Sequence, residues 1–199
     1  MFVHFTRGAS GSLASFCVFI FSISLFGSVA KAADCDHFNV GTDLVDSITY
    51  CASSVLPNSK VATYRPGNLD GWEDNVGRAW CEGAYGNGSG EWIEYSNRPE
   101  SMAQKVYFWN GYQKSKKAFQ ENARARDVKL QFDDGTYITY RLQDKFGQQV
   151  LAFPNGWKNF TRIRMTINSV YPGSKYDDLC ISGFAIDYEE SRYADPVVN

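Results

Sequence analysis

The sequence predicts an all-β protein, an antiparallel sandwich of about eight strands. Three observations support this fold class: short segments in which apolar and polar residues alternate, turn-rich stretches between them, and almost no helical periodicity. Of the 199 residues, 44% are hydrophobic and 21% are charged, as in a globular chain that can bury one sizeable core. One apolar face per strand is expected where two sheets share a core.

The first 32 residues are predicted to be a secretory signal peptide. Arg7 supplies a positive charge, residues 13–29 form a short apolar stretch, and Ala30–Ala32 matches a cleavage site. The alternative is an uncleaved membrane anchor, against which the shortness of the apolar run argues. The mature protein is therefore expected to be secreted or periplasmic, with no membrane contact after cleavage.

The charge balance and the scarcity of histidine exclude several functions. The net charge is −2, and removing the signal segment takes away two bases and no acid, so no nucleic-acid partner is expected. His37 is the only histidine beyond that segment, so a Ser-His-Asp or Cys-His mechanism would have to use it. The motifs of phosphate-binding loops, dinucleotide-binding folds and zinc peptidases are also absent.

Four cysteines remain after the predicted cleavage, and an even number in an exported chain favours two disulfides. Three connectivities are open. The spacing favours a local loop closed by Cys35–Cys51, with Cys81–Cys180 joining distant parts of the domain. Zinc-site spacing is absent, and no metal or cofactor is predicted. Asp70 and Asp74–Asn75 offer oxygen ligands for a structural calcium ion, although a turn is the default interpretation without EF-hand spacing.

The elements are predicted in chain order as follows. Residues 33–50 are expected to form an N-terminal appendage with a weak helical signal at 43–50, and residues 51–190 the sandwich. A long polar loop is expected over 57–90, and a disordered tail over 191–199. Strands are predicted at Ser53–Leu56, Glu91–Ser96, Lys105–Asn110, Asp127–Phe132, Ile138–Leu142, Ile163–Ile167 and Cys180–Tyr188.

The clearest strand signal lies on either side of a predicted hairpin turn. Val128, Leu130 and Phe132 share one face of a strand, and polar residues occupy the other face. Asp133–Gly135 is typical of a tight turn between antiparallel strands. The same alternation recurs over Ile163–Ile167, which predicts a further strand with one buried face.

Aromatic and polar residues cluster in the predicted loops. Aromatic residues make up 16% of the chain, and three loop segments combine a ring with hydrogen-bonding side chains: Ala79–Gly83, Asn110–Ser115 and Tyr171–Asp178. Sugars need that mixture because their C–H faces stack on aromatic rings while their hydroxyls need fixed donors and acceptors. The tryptophans at 80, 92 and 109 are better explained as core residues.

The candidate glycan site contains two kinds of residue. Tyrosines beside glycine or lysine are expected to stack on sugar, and polar residues of the same loops to bind hydroxyls or a charged group. For Arg124, a salt bridge that holds the loop is the alternative. The stacking residues are Tyr112, Tyr171 and Tyr176, and the polar residues are Glu82, Asn110, Lys114, Arg124, Lys175 and Asp177.

Two other functions remain open. A small hydrolase needs only two carboxylates about 5 to 9 Å apart. A protein-binding adaptor for a surface protein or a toxin would use the same loops, as a flat apolar patch rather than a small concave site. The acids available to a hydrolase are Glu82, Glu91, Glu94, Asp133, Asp134, Asp144, Asp177 and Asp178.

An ordered set of segments over residues 50–188 resembles a known family. The chain is similar to the NAD glycohydrolase translocation domain, also described as an NADase-type glycan-binding domain of the coagulation-factor type C (discoidin, galactose-binding-like) superfamily. The segments are Ala52–Leu56, Ala79–Gly83, Gly88–Ile93, Asn110–Tyr112 with Lys114–Ser115, Asn122–Arg124, Asp133–Gly135 and Gly173–Ser182.

The resemblance implies an eight-stranded jelly roll whose loops at one end bind glycan. In the toxin that names the family, this domain precedes a catalytic NADase domain and supports its delivery into host cells. No such domain is expected to follow Tyr188 here. The resemblance therefore implies a non-catalytic carbohydrate-binding module, with a glycan or glycoconjugate as its partner, and not an NAD-hydrolysing enzyme.

Overall fold

The computed structural model describes residues 33–42, 44–71 and 77–188. The predicted signal peptide, the tail at 191–199 and the oxygen ligands of Asp74–Asn75 lie outside these residues, so those interpretations stay predictions. No helix of the described part is both long and apolar enough to cross a lipid bilayer.

The described residues form ten strands, one α-helix and one short 3-10 helix. Their bounds are β1 Asp34–Asn39, β2 Ser47–Ala52, the 3-10 helix Pro66–Asp70, β3 Trp80–Cys81, β4 Trp92–Ala103, β5 Lys105–Asn110, α1 Lys116–Glu121, β6 Arg124–Phe132, β7 Tyr137–Arg141, β8 Gln148–Ala152, β9 Lys158–Tyr171 and β10 Cys180–Ile186. The larger sheet has the order β1-β2-β4-β9-β6-β7, and the smaller has the order β3-β10-β5-β8. These strands pair antiparallel throughout, which confirms the predicted sandwich.

The alternating segments form the core as predicted. Val128 and Leu130 on β6 lie opposite Ile167 and Met165 on β9, and all four are fully buried between the sheets. The Asp133–Gly135 turn is closed by a hydrogen bond from Phe132 N to Thr136 O, at 2.9 Å. Alternation with a period of two places every second residue inside, because successive side chains of a strand point to opposite faces.

The N-terminal region differs from the prediction. The weak helical signal is wrong for Ser47–Ala52, which is a strand that pairs with both β1 and β4. Asp34–Asn39 and Ser47–Ala52 therefore extend the larger sheet rather than stand outside it. The strand predicted at Ser53–Leu56 is also wrong, since these residues form a loop beyond the end of β2. Tyr50 fixes the position of β2, because its hydroxyl donates to the carbonyl oxygen of Phe184 on β10 at 3.0 Å.

Two of the three tryptophans lie in the interior as expected. Trp80 is fully buried and donates from Nε1 to Ser54 O at 2.8 Å, and Trp109 is 8% exposed. Trp92 is not a core residue, because it precedes the buried Ile93 and points to the outer face of the sheet. The guanidinium group of Arg164 covers its ring there, 4.0 Å from the ring centroid.

Both predicted disulfides are present and join residues that are register partners of adjacent strands. Cys35–Cys51 links β1 to β2, and Cys81–Cys180 links β3 to β10. The second bond spans a sequence separation of 99 residues, so it removes much more freedom from the unfolded chain than the first, which spans 16. It also lies at the end of the sandwich where the predicted site loops meet.

Candidate functional site

Four segments meet at one end of the sandwich. They are the loop after β2, the end of β3, the segment after β5 that includes α1, and the loop before β10. They are held together by backbone hydrogen bonds between loops that are distant in sequence. The loop after β2 donates from Leu56 N to Cys81 O at 2.9 Å, and the loop before β10 donates from Tyr176 N to Glu121 O at 2.8 Å. Because the loops are anchored to one another by backbone bonds, the side chains they carry have defined positions.

These segments enclose a cavity of about 510 Å³, which we call the Tyr112 cavity. Its inner wall is apolar: Leu56, Tyr64 and Tyr112 pack against the cluster that contains the Cys81–Cys180 disulfide. The rings of Tyr64 and Tyr112 meet edge to face, with centroids 6.4 Å apart. The lining residues are Leu56, Tyr64, Cys81, Tyr112, Lys114, Ser115, Lys117, Ala118, Glu121, Asn122, Tyr176 and Asp178.

The rim of the Tyr112 cavity is polar and carries both signs of charge. Lys117 and Glu121 form an ion pair at 3.9 Å along α1. Burial raises the pKa of the Asp178 carboxyl, and the neighbouring Asp177 raises it further. The side chain of Lys114 makes no ion pair with any residue that the structure describes. The cavity thus offers cations, carboxylates and the Ser115 hydroxyl around an aromatic wall.

Three of the predicted site residues line this cavity: Tyr112, Lys114 and Tyr176. Tyr176 is 41% exposed, so part of its side chain is accessible to a ligand. Lys175 stands beside it, with Nζ 4.6 Å from the centre of the Tyr176 ring, and a hydrogen bond to Tyr176 raises the pKa of this lysine. Asp177 is exposed and does not line the cavity, whereas its neighbour Asp178 does.

Arg124 is engaged inside the protein, as the alternative interpretation of this residue predicts. Only 7% of it is exposed, and its guanidinium group forms a two-pronged ion pair with Asp144, with both N–O distances 2.8 Å. A further nitrogen donates to the carbonyl oxygens of Asn122 and Pro172, at 2.8 and 3.1 Å. Arg124 therefore joins three loops and is not available to bind a sugar.

Asn110 and Tyr171 also serve the fold rather than the cavity. The Asn110 amide is fully buried and makes two bonds to the backbone of Ala125: Nδ2 donates to its oxygen at 2.7 Å, and Oδ1 accepts from its nitrogen at 3.0 Å. The Tyr171 hydroxyl donates to Leu142 O at 2.9 Å. The placement of Asn110 in the candidate glycan site is a correction, because its buried amide joins β5 of the smaller sheet to β6 of the larger one, and Tyr171 is half-buried and does not line the cavity.

Glu82 is likewise buried rather than exposed to a ligand. It is 1% exposed, Oε2 accepts from Ala84 N at 2.7 Å, and Oε1 has no hydrogen-bond partner among the described residues. Burial raises the pKa of this carboxyl to about 7, although the bond from Ala84 N–H opposes the shift, and the nearby Glu91 carboxylate adds to it. Glu82 thus lies beneath the loops and stays protonated to a higher pH than an ordinary glutamate, and its burial keeps it from the surface where a sugar would bind.

Tyr64, Lys117 and Glu121 line the cavity but were not predicted as site residues. Tyr64 lies in the long polar loop over 57–90, where no periodic pattern marks it. Lys117 and Glu121 belong to α1, whose six residues are too few for a helical period to be recognised. The only available signal was the presence of a tyrosine among polar loop residues, the same signal that identified Tyr112 and Tyr176.

No group of three or more His, Cys, Asp or Glu side chains within the described ranges is arranged to hold a metal ion. The acids of the Tyr112 cavity, Glu121 and Asp178, are accompanied by two lysines, which compete with a cation for those carboxylates. The site is therefore suited to an organic ligand with polar substituents and one apolar face.

Solved structures of other proteins resemble this fold at low sequence identity. The arabinofuranosyltransferase AftD from Mycobacteria matches with a TM-score of 0.54 and 13% identity, over 77% of this chain and 11% of that chain. The family 32 CBM of NanJ from C. perfringens, in complex with galactose, matches with a TM-score of 0.49 and 10% identity, over 70% of this chain and 92% of that chain. A GH29 fucosidase from Ruminococcus gnavus, in complex with fucose, matches with a TM-score of 0.49 and 16% identity, over 70% and 25% of the two chains.

This chain thus spans about a quarter of the length of the fucosidase that it matches. No curated protein is significantly similar in sequence. The model of the family "NAD glycohydrolase translocation F5/8 type C domain" matches residues 41–187, which include all four loop segments of the Tyr112 cavity. The chain belongs to the NAD glycohydrolase translocation F5/8 type C domain family.

Proposed function

We propose that this domain binds a glycan in the Tyr112 cavity and does not hydrolyse it. The observation that carries the proposal is the combination of three tyrosines, Tyr64, Tyr112 and Tyr176, with a polar rim around one concave site. A protein-binding adaptor was expected to present a flat apolar patch instead. A cavity of about 510 Å³ lies within the usual size range of small-molecule sites.

The chemistry of the lining matches a sugar on both of its surfaces. The C–H face of a pyranose is apolar and can rest against the exposed part of Tyr176 or the exposed edge of Tyr112. Its hydroxyls would donate to the carboxylate of Asp178 and accept from Lys114 or Ser115. Because Leu56 and the Cys81–Cys180 disulfide support the inner wall, the ring of Tyr112 is held in place before the ligand arrives.

The arrangement of the acidic residues supports binding without catalysis. Of the acids considered for a hydrolase, only Asp178 lines the Tyr112 cavity; the second acid there, Glu121, is paired with Lys117. Most of the others have hydrogen-bond or ion-pair partners elsewhere in the fold. Glu91 accepts from Ser53, Glu94 pairs with Arg164, Asp133 accepts from Thr161, Asp134 pairs with Lys158 and Asp144 pairs with Arg124.

We further propose that the domain works outside the cytoplasm. The two disulfides support this, because such bonds persist in exported proteins and are rare where thiols are kept reduced. The predicted signal peptide supports the same location. Secretion of the full chain, with cleavage after residue 32, can be checked by N-terminal sequencing of the exported protein.

A glycan array with wild type and two variants tests the proposed function. Tyr176→Ala removes an exposed ring and Tyr112→Ala removes a wall of the cavity; each is expected to weaken binding about 30-fold, since truncating a central aromatic anchor costs about 2 kcal/mol. Tyr137→Ala is the matched control, because Tyr137 on β7 is 65% exposed and does not line the cavity. Absence of binding to every glycan by the wild type would refute the proposal, and release of free sugar from a bound glycan would refute its non-catalytic part.

A further inference from the structure

A second cavity of about 390 Å³ lies on the other side of Tyr112 and Lys114. These two residues line both cavities and form the wall between them. Lys60, Thr63 and Arg78 line the second cavity only, and we call it the lysine cavity. A ligand bound against Tyr112 can therefore extend past this wall from one cavity into the next.

The lysine cavity is strongly cationic. Three basic side chains, Lys60, Arg78 and Lys114, line it, and none of the lining residues that the structure describes is acidic. This is unusual in a chain whose net charge is −2. Arg78 also interacts electrostatically with the Asp70 carboxyl, so the charge left for a ligand comes mainly from Lys60 and Lys114, and an anion in the cavity would neutralise it.

Most of the other basic residues of the described part have an acidic partner close by. Arg65 pairs with Asp36 at 3.0 Å, and Arg141 pairs with Asp127 at 2.8 Å. Lys60, by contrast, forms no ion pair with any described residue, and the same holds for Lys114. Two cations of the lysine cavity thus keep their hydrogen-bond donors free for a ligand.

The Tyr112 cavity is balanced in charge, with Lys114 and Lys117 beside Glu121 and Asp178, whereas the lysine cavity is cationic. A carboxylate or sulfate group placed in the Tyr112 cavity would lie near these two acids as well as near lysines. The same group placed beyond Lys114 would lie among basic side chains only, so the difference in charge orients an acidic ligand in one direction.

We propose that the glycan bound by this domain is acidic: its neutral ring occupies the Tyr112 cavity and its anionic group, a carboxylate or a sulfate, occupies the lysine cavity. The inference rests on the proposed glycan-binding function and names the ligand class for that site. Lys60 and Lys114 supply ammonium donors to the anionic group, Arg78 adds a guanidinium group, and Thr63 adds a hydroxyl.

The test is a panel of matched oligosaccharides, each printed as a neutral form, a form carboxylated on one sugar and a form sulfated at the same sugar. Wild type is compared with Lys60→Gln, Lys114→Gln and the control Lys116→Gln. All three lysines are exposed, and Lys116 lines neither cavity. Glutamine keeps most of the side-chain length and removes the charge, so these variants are expected to fold, which unchanged thermal unfolding temperatures would show.

We expect wild type to bind at least one acidic form tenfold or more above its neutral counterpart. Each lysine substitution in the cavity should lower that preference about fivefold, as should raising the salt concentration to screen the charges. Lys116→Gln should behave as wild type. The carboxylated and sulfated arms distinguish which anionic group is recognised.

Three results would overturn the inference, and they can be told apart. Equal binding of neutral and acidic forms would overturn the acidic ligand and leave glycan binding itself intact. Absence of binding to all members of the panel would overturn the proposed function and, with it, the inference. An acidic preference that survives both Lys60→Gln and Lys114→Gln would show that the anion lies elsewhere.

Discussion

Glu82→Gln should change how stability depends on pH. The wild-type carboxyl is 1% exposed, and its pKa in the folded protein is raised to about 7. In the unfolded chain this group titrates near its ordinary value of about 4.3. Between these two pH values the folded protein holds a proton that the unfolded chain has released, so stability falls as the pH rises through this window.

The size of the effect follows from the shift in pKa. Each unit corresponds to about 1.4 kcal/mol, so a rise in pKa from about 4.3 to about 7 corresponds to about 4 kcal/mol, and relaxation and water entry around the charged group would reduce this to about 2 kcal/mol. Glutamine cannot ionise, and its side-chain oxygen can still accept from Ala84 N–H as Glu82 does. Glu82→Gln should therefore lie close to wild type at pH 4.5 and be about 2 kcal/mol more stable at pH 8.

Urea unfolding at pH 4.5, 5.5, 6.5, 7.5 and 8.5 measures this difference directly. The quantity to compare is the free energy of unfolding of the variant minus that of wild type, because other titrating groups contribute equally to both. Glu100→Gln is the control, since Glu100 is an exposed glutamate. A variant-minus-wild-type difference that stays constant across the series would refute the assignment of a neutral, buried Glu82.

Three further predictions concern the scaffold of the site. Arg124→Gln should destabilise the fold by about 2–4 kcal/mol in urea unfolding, because Asp144 and the loop carbonyls lose their donor; no measurable loss would contradict this role. Replacing Cys81 and Cys180 by serine should lower the free energy of unfolding by about 4 kcal/mol. A loss under 1 kcal/mol would contradict a stabilising role for this disulfide. Gly71→Ala should destabilise the fold by about 1–3 kcal/mol, because φ of Gly71 is +56° and an added Cβ would lie 2.8 Å from the backbone of β10. The thermal unfolding temperature should fall by several degrees, and an unchanged temperature would contradict this prediction.

The fold could be predicted because its central strands alternate strictly. Val128, Leu130 and Phe132 carry enough apolar area on one face that only burial against a second sheet satisfies them. Ser47–Ala52 alternates too, with Ile48, Tyr50 and Ala52 on the core face, but the strand is only six residues long. The signal there was too short to outweigh a weak helical pattern.

The candidate site could be predicted only in part, because residue type does not tell whether a loop side chain points out or in. Tyr176 and Lys114 line the cavity, while Asn110 and Arg124, at the end of β5 and the start of β6, are buried beneath it. Irregular strand ends leave backbone groups without strand partners, and buried polar side chains satisfy them. Asn110 does this for Ala125, next to which the pairing of β6 with β9 is irregular, and no local sequence pattern reveals this role.

The central claim is that glycan binds in the Tyr112 cavity, and a crystal structure of the domain with the strongest glycan-array ligand tests it most directly. The account predicts a sugar ring in contact with Tyr112 or Tyr176 and within hydrogen-bond distance of Asp178 or Lys114. The larger groove on the outer face of the six-stranded sheet, lined by His37 among others, offers a different position for comparison. Glycan density in that groove, with the Tyr112 cavity empty, would contradict the account.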